Sequence, residues 1–495
     1  MEKKICYRQR RRKEFVHDDC VLEDSLSQGD WHIEEDPNVD YEMLLRGLRA
    51  CAERASKSRT TNLDRISKTT KELLGRRRAL RLDPNASHIE RLVANTSCRK
   101  ALQEDLSKYR QKKILEAAQR RTSLRKCRRD LREYNIPLAA LLSKDGTRTS
   151  SRREKEIITE RFYSNLFCSS TPVSSPIITG EAPPRILTSE VRVAVKSMKP
   201  GTAPGPDFIS ADFLRAGGHP LHVILAAHMK PYLQKERIPD QRKTSLTVLI
   251  HKKGDREDLR NYRPIRLLSV PASRASWIPP GVQLLGPHLD RVEGHRDLPR
   301  IPPALVLTFV DYEKAFDSVE RNAILSALVD QGVHASYVRT LANCYDRCTT
   351  KILLLHRPLT IPIGKGERQG DTIPPKLFTA ALQWIMKSLP WEEVGIRVDG
   401  RFLSNLRFAY DIVLFSSSTN EAETMLNELN EAGKRIGLRI NRKKTQFMKN
   451  AYYEDGGAQL EGSHIVETSS YLYLGRSMNM ENDLDEELNR RMRAA

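Results

Sequence analysis

Two short segments each join an apolar run to a carboxylate, and paired carboxylates are the groups that hold hard divalent cations. In LVLTFVDYEKAFDSVE, Leu305 to Val310 reads as a buried strand that delivers Asp311 at its end and leads into a helix near Ala315. In LRFAYDIVLFSS, Leu406 to Ala409 and Ile412 to Phe415 read as two short strands meeting at a tight turn that displays Asp411. Distant strands can bring such residues together. In phosphoryl-transfer enzymes, carboxylates hold cations roughly 3.5–4 Å apart, because adjacent carboxylates repel unless an ion such as Mg2+ lies between them. Spacing alone leaves a simpler reading open, since a strand-end Asp also serves as a helix cap or turn residue. Cys344 and Cys348 lie one helical turn apart and could share a face, but a lone pair lacks two of the ligands of a zinc site.

The elements that must position these residues belong to a chain of 495 residues, too long for one domain. Residues 1–135 form a basic, aromatic-poor block without strand alternation, read as a helical or coiled-coil lead-in. From Ser97 to Tyr134, Leu102, Leu106 and Tyr109, then Leu124, Cys127 and Leu131, recur at helical spacing, and a shorter helix is predicted over Leu63 to Leu82. The other face of the long stretch carries Arg120, Arg121, Arg125, Lys126, Arg128 and Arg129. It reads either as a nucleic-acid arm or as a solvated coiled-coil face through which residues 97–134 could self-associate. A connector follows over residues 136–185, with a helix at Arg153 to Phe167 and a Ser/Pro linker from Cys168 to Pro184. Beyond it, short apolar runs between Pro and Gly announce a globular α+β domain.

Lys and Arg number 83 against 63 Asp and Glu, so the net charge is +20, which favours a polyanion partner, nucleic acid before an acidic membrane surface. No run approaches the 18 or so apolar residues of a membrane span, and the basic opening has no apolar stretch behind it. The expectation is an intracellular ribonucleoprotein component, nuclear or cytoplasmic, and not a secreted protein. The run Arg10 to Lys13 reads equally as a nuclear signal or as part of an RNA-binding arm. The eight cysteines include no CxxC pair, so no disulfide framework is indicated.

F-x-D-Y-x-K-A-F-D around Asp311, followed about 90 residues later by F-A-x-D-I-V-L-F, resembles the first and third palm motifs of reverse transcriptases of non-LTR (long interspersed element type) retrotransposons. Between them, Gly366 to Asp371 looks like the family's Arg-Gln-Gly-Asp segment. Gly437 to Asn441 with Lys444-Thr445 resembles the next motif, and Tyr471 to Gly475 the primer-grip hairpin. Upstream, GTAPGPD (Gly201 to Asp207), LIHKKGD (Leu249 to Asp255) and NYRPIRLLS (Asn261 to Ser269) match the fingers. The likeness covers about residues 186–478, and its eight ordered motifs make coincidence negligible.

The resemblance implies an α+β fold, the fingers and antiparallel palm sheet of a right-hand polymerase, preceded by a basic all-α region. Fingers would occupy residues 186–270 and the palm with its primer grip 305–478. It further implies an RNA template, a DNA primer and a deoxynucleoside triphosphate as partners, with two Mg2+ ions. Asp311 and Asp411 would be the catalytic metal ligands. Lys253 and Arg263 would neutralise the triphosphate, unless Lys253 is only an exposed hairpin tip. Phe316 would lie under the deoxyribose and exclude a 2′-hydroxyl, or simply be a core Phe. Gln369 and Gly370 would support the templating base pair, and Lys444 is a candidate proton donor to pyrophosphate or a plain surface lysine. Tyr473, Leu474 and Gly475 would form the primer grip.

Three departures qualify that picture. The family's F-A-D-D reads Phe408-Ala409-Tyr410-Asp411 here, so Tyr410 replaces a ligand; Asp411 cannot substitute, because neighbours on a strand point to opposite sides. Residues 271–304, rich in Pro, Gly, His and Arg, replace a family segment containing Gln-Ala-Gly-Phe-Arg. Ala275 to Pro279 can be written GCAAGCTGGATTCCG, and a one-nucleotide shift restores Gln-Ala-Gly-Phe and an Arg codon, which points to a frameshift. Last, residues 479–495 read as a truncated start of the thumb, with a helix from near Asn482, and no endonuclease domain precedes the basic lead-in. The leading reading is therefore a reverse transcriptase by descent with impaired catalysis. The alternatives are a non-catalytic RNA- or DNA-binding protein and a coiled-coil interaction protein.

Overall fold

The computed structural model describes residues 15–58, 66–83, 85–119, 140–169, 183–198, 200–252, 254–269, 304–353, 358–366, 373–398, 400–450, 456–481 and 483–494. They fall into two compact units, one containing residues 17–56 and 140–495, the other residues 57–139. The lead-in expected as one block over residues 1–135 is thus divided between them. Its opening helices, α1 (Asp19–Ser27) and α2 (Pro37–Ala55), begin at Asp18 and Asp36, whose carboxylates accept the Val21 and Asn38 amides. Leu44, Leu45, Leu48, Cys51 and Ala55 of α2 recur at three- and four-residue spacing and share a hydrophobic cluster with Leu221, Leu225 and Met229. The many charges of this segment, eleven Asp and Glu against three Arg over residues 17–56, hide that stripe in the sequence.

The smaller unit is a helical pair, α3 (Lys68–Leu82) and α4 (His88–Gln119). Ser67 caps α3 by accepting the Thr70 amide, and buried Cys98 of α4 donates its thiol to the Leu73 carbonyl at 3.0 Å. Leu102, Leu106 and Tyr109 are half-buried, as the helical stripe requires. Arg120, Arg121, Arg125, Lys126, Arg128 and Arg129 lie outside the described residues, as do most of the Ser/Pro linker and residues 271–303.

In the larger unit, helix α5 (Arg152–Phe167) matches the expected connector helix and buries Thr159, Tyr163 and Phe167 on one face. Helix α6 (Gly218–Gln234) packs beside α1 and α2. A buried polar group ties α2 to α6: Asp40 accepts from His228 Nδ1 at 2.9 Å, from the Tyr232 hydroxyl and from the Glu34 amide at 3.0 Å. Beside it, the Tyr41 hydroxyl donates to Asp207 Oδ2 at 3.3 Å, and Arg242 lies over the Tyr41 ring, 5.5 Å from its centroid.

Eleven strands of this unit bear on the argument: β1 (Thr244–His251), β2 (Tyr262–Leu267), β3 (Val306–Val310), β4 (Thr349–Ile352), β5 (Leu359–Pro362), β6 (Asn405–Phe408), β7 (Asp411–Ser416), β8 (Gln446–Lys449), β9 (Val466–Glu467), β10 (Ser470–Tyr473) and β11 (Arg476–Asn479). One sheet has the order β2-β1-β4-β5, another β6-β7-β3-β8-β9, and β10 pairs with β11 as a hairpin. In the five-stranded sheet the pairs are antiparallel except β8 with β9. The antiparallel palm sheet expected from the sequence is found in three of these four pairs, and the parallel pair lies at the sheet's edge.

Strand β3 is central and buried along its whole length. Val306 and Val310 enter the main core, while Leu307 and Phe309 enter a smaller cluster with Val413 and Met448 on the other face. Burial on both sides explains the unbroken apolar run, and each such side chain contributes roughly 1.5–3 kcal/mol. Helix α7 (Ala315–Ser318) follows, then α8 (Ile373–Met386) and α9 (Thr419–Arg435) cover the main-core face. Helix α10 (Asp485–Ala494) follows the hairpin, close to the expected start near Asn482.

Two glycines clasp the turn after β3. Gly366 and Gly437 have φ of +80° and +81°, and a Cβ would stand 2.5 Å from the carbonyl oxygen of Asp317 or Ser318 respectively. Only glycine lets both motif segments approach α7 so closely.

Candidate functional site

The register of β3 and β7 sets the two carboxylates. Ile412 faces Val310 and Val413 faces Phe309, so one residue further out Asp411 comes opposite Asp311. Alternation puts Asp311 on the face of Leu307 and Phe309, and Asp411 on the face of Val413 and Phe415, which is the same face. Two details differ from expectation: the register puts Asp411 itself, not position 410, on the face of Asp311, and Asp411 is the first residue of β7 and pairs with Phe408, so the turn consists of Ala409 and Tyr410. Ala409 adopts φ of +57°, the left-handed conformation that closes so short a turn.

The electrostatics agree with the register. Burial first, then Asp311, push the Asp411 carboxyl above the ordinary carboxylate range, against the pull of Lys444. Asp311 is held by its backbone: its amide donates to Thr445 Oγ1 at 3.3 Å and its carbonyl accepts the Asn441 amide at 2.7 Å. The same turn brings Lys444 Nζ to 2.8 Å from Asp311 Oδ2. Lys444 is 63% exposed, so this ion pair contributes at most about 1 kcal/mol to stability.

Further cations surround the carboxylates. Burial first, then Arg263 and Lys444, lower the Lys252 ammonium below its ordinary value, while Asp311 and Asp317 oppose the shift. Arg263 is exposed on β2. Lys314, with φ of +46°, places its ammonium over the Phe162 ring at 4.6 Å, and burial lowers its proton affinity. Beneath them Asp317 is buried; Arg266 approaches it at 3.7 Å while lying 4.2 Å above the Phe167 ring centroid. Burial raises the Asp317 carboxyl, and Arg266, Lys314, Lys252 and Arg263 pull it back in that order.

Tyr410 turns the other way. Its ring is half-buried against the main core and meets Phe316 edge-on, with centroids 5.4 Å apart and planes at 88°. Phe316 in turn packs on Phe378 at 4.9 Å. The Tyr410 ring, held against Phe316, therefore lies away from the face that carries Asp311 and Asp411.

The β10-β11 hairpin flanks the carboxylate face. Leu474 and Gly475 form its turn with φ of +47° and +82°, so both central residues are left-handed. Tyr471 stacks on Phe309 at 4.1 Å and 14°, and Tyr473 lies 6.2 Å from the same ring. Burial raises the Tyr471 phenol, followed by Asp311 and Asp411, which places the hairpin within electrostatic reach of both carboxylates.

Of the residues singled out in the sequence, the fold gathers Asp311, Asp411, Lys444, Phe316 and Tyr473 around one sheet end. Arg263 is within electrostatic reach of Lys252 beside them. Lys253, Gln369 and Gly370 lie outside the described residues. Lys252, Lys314, Arg266 and Asp317 were not legible: in HKKGD nothing says which lysine faces inward, and Lys314 depends on a left-handed backbone. The donor set of two hard carboxylate oxygen groups on one face, whose mutual repulsion shows in Asp411, fits a divalent cation. Among the described residues no group of three or more His, Cys, Asp or Glu could hold a metal.

Residues 248–478 match the family model of reverse transcriptase (RNA-dependent DNA polymerase). An uncharacterized transposon-derived protein of Caenorhabditis elegans is 40% identical over 104 residues, covering 20% of this chain and 37% of that protein. The Pol polyprotein of the type-1 retrotransposable element R2 of Popillia japonica is 25% identical over 52% of this chain and 39% of its own length. An uncharacterized 149 kDa protein of transposon TX1 from Xenopus laevis is 26% identical over 50% of this chain and 21% of its own length. The chain thus spans well under half the length of these relatives. Sheet register, motif order and similarity converge, and over residues 248–478 they support a likeness to the reverse transcriptases of non-LTR retrotransposons.

Proposed function

We propose that the chain is an RNA-directed DNA polymerase by descent, binding template, primer and deoxynucleoside triphosphate in the palm, with nucleotidyl transfer severely impaired. The observation that carries this is that among the described residues the face holds two carboxylates, Asp311 and Asp411, while Tyr410 packs on Phe316 and adds none. Asp311 and Asp411 would hold a divalent cation such as Mg2+, which when bound supplies charge neutralisation at the phosphates and a more acidic primer hydroxyl. Lys252, Arg263 and Lys444 would hold the triphosphate, Arg263 through its planar fork and the lysines as point charges. Lys444 would also keep a proton available to the leaving pyrophosphate. Phe316 supports the sugar, and Tyr471 and Tyr473 stiffen the hairpin that would grip the primer. Tyr410 brings an aromatic ring where the family has a carboxylate.

Template-dependent incorporation with Mg2+ or Mn2+, by the unaltered chain and by Tyr410→Asp, tests this reading. The unaltered chain is expected near background and Tyr410→Asp to raise incorporation by about 10²-fold or more, the scale of restoring one electrostatic stabiliser. Robust incorporation by the unaltered chain would sink the idea. A silent Tyr410→Asp variant would make residues 271–304 the limiting defect. Salt-dependent RNA binding without incorporation in either form would favour a non-catalytic nucleic-acid-binding protein, for which the retained cations speak.

A further inference from the structure

Helix α10 closes the outer edge of the β10-β11 hairpin. The hairpin is a sheet of two strands, so alternate amides of β11 look away from β10, and a pair of strands alone holds its shape poorly. Three alternate positions along that edge meet α10 or its entry. Asn479 and Asp483 exchange bonds: the Asn479 side-chain amide donates to the Asp483 carbonyl and the Asp483 amide to Asn479 Oδ1, both at 2.8 Å. The Ser477 amide donates to Glu487 Oε2 at 2.9 Å, and its hydroxyl to Glu486 Oε2 at 3.0 Å. Arg490 donates to the Gly475 carbonyl in the turn while its fork grips Glu487 through Nε and Nη2, each at 2.9 Å; Arg491 donates to the same carboxylate. Glu487 is the buried centre of this joint, 5% exposed. Arg490 first, then the Ser477 amide and Arg491, hold its carboxyl well below the ordinary range.

We propose that Glu487 is a positioning residue that locks the β10-β11 hairpin beside the carboxylate face and so sets how the primer terminus is held. The inference rests on the reading that this palm takes a template–primer duplex, and it requires no turnover. Glu487 lies beyond residues 248–478, so the likeness to the family assigns it no role. On the other side of the hairpin Tyr471 stacks on Phe309, a contact that resists separation but lets one ring slide over the other. A carboxylate that accepts a strand amide, and also aims the arginine that caps the turn carbonyl, fixes direction as well as distance.

The test is equilibrium binding by the full chain of a template–primer with a recessed primer 3′ end, measured against the same duplex with blunt ends. The unaltered chain and Glu487→Gln, which keeps an acceptor for the Ser477 amide, are expected to favour the recessed end by roughly tenfold or more. Glu487→Ala brings the ratio to about twofold or less, the scale of losing one charge-assisted hydrogen bond. Thermal melting accompanies each variant, and Glu487→Leu, which keeps bulk without an acceptor, replaces Glu487→Ala if that protein does not fold. A lowered melting temperature with an unchanged ratio is the mark of a merely structural role; it overturns the inference and leaves the site reading intact. Equal loss in Glu487→Gln and Glu487→Ala overturns the hydrogen-bonded brace. A ratio near one in every form, the unaltered chain included, overturns the site reading and the inference with it.

Discussion

Asp411 bears a carboxyl raised by burial and by Asp311, so its charged form destabilises the fold until something positive comes near. Stability from such a group is present at low pH and declines as pH rises through its folded value. A divalent cation should therefore stabilise the unaltered chain near neutral pH. Millimolar Mg2+ is expected to raise the melting temperature by a small amount that disappears in Asp411→Asn and grows in Tyr410→Asp; an equal shift in all three would place the ion elsewhere. At this scale the legible residues were those with a fixed partner in the motif order: Asp311, Asp411 and Lys444. Those hidden, such as Lys252 and the Arg266–Asp317 pair, owe their roles to burial by segments distant in the chain, which local spacing does not encode.

Between elements, the close approaches to α7 do most to hold the site in shape. Replacing Gly437 by alanine would force a Cβ to 2.5 Å from the Ser318 carbonyl in a left-handed backbone. The variant is expected to lose roughly 2–4 kcal/mol in chemical denaturation, more than a simple left-handed alanine costs. A loss under about 1 kcal/mol would mean that the turn relaxes freely. The strands and α5 were readable because burial on one or two faces leaves a period of its own. Helix α2 was not, because a narrow apolar stripe among many charges looks like a solvated helix until its partner α6 is known. The turn of the β6-β7 hairpin was displaced by one residue in the sequence reading, since a two-residue turn leaves no polar signal around Ala409 and Tyr410.

Across the larger unit, a buried polar system spans α2, α6 and the loop that ends at Asp207. Burial pushes the Asp207 carboxyl up to about 6 from an ordinary 3.8, despite the Ile209 amide, Tyr41, Arg242 and Arg49. Its contribution is therefore full below about pH 3.8 and lost as pH rises through about 6. Asp207→Asn is expected to be more stable than the unaltered chain by about 2 kcal/mol near pH 7, with the advantage fading toward pH 4; a pH-independent difference in denaturation would refute this. Asp40 behaves oppositely: burial works to raise it, but bonds from His228, Tyr232 and the Glu34 amide outweigh that and hold it below the ordinary range. The overall α+β class was visible in the sequence, while the membership of residues 17–56 was not, because only tertiary packing reveals it. That membership changes where the molecule can be cut. A fragment opening at residue 140 would strip the wall from Leu221 and Leu225, and would leave His228 and Tyr232 without the carboxylate they share. The larger unit thus includes an acidic stretch, residues 17–56, inside what reads by composition as one basic lead-in.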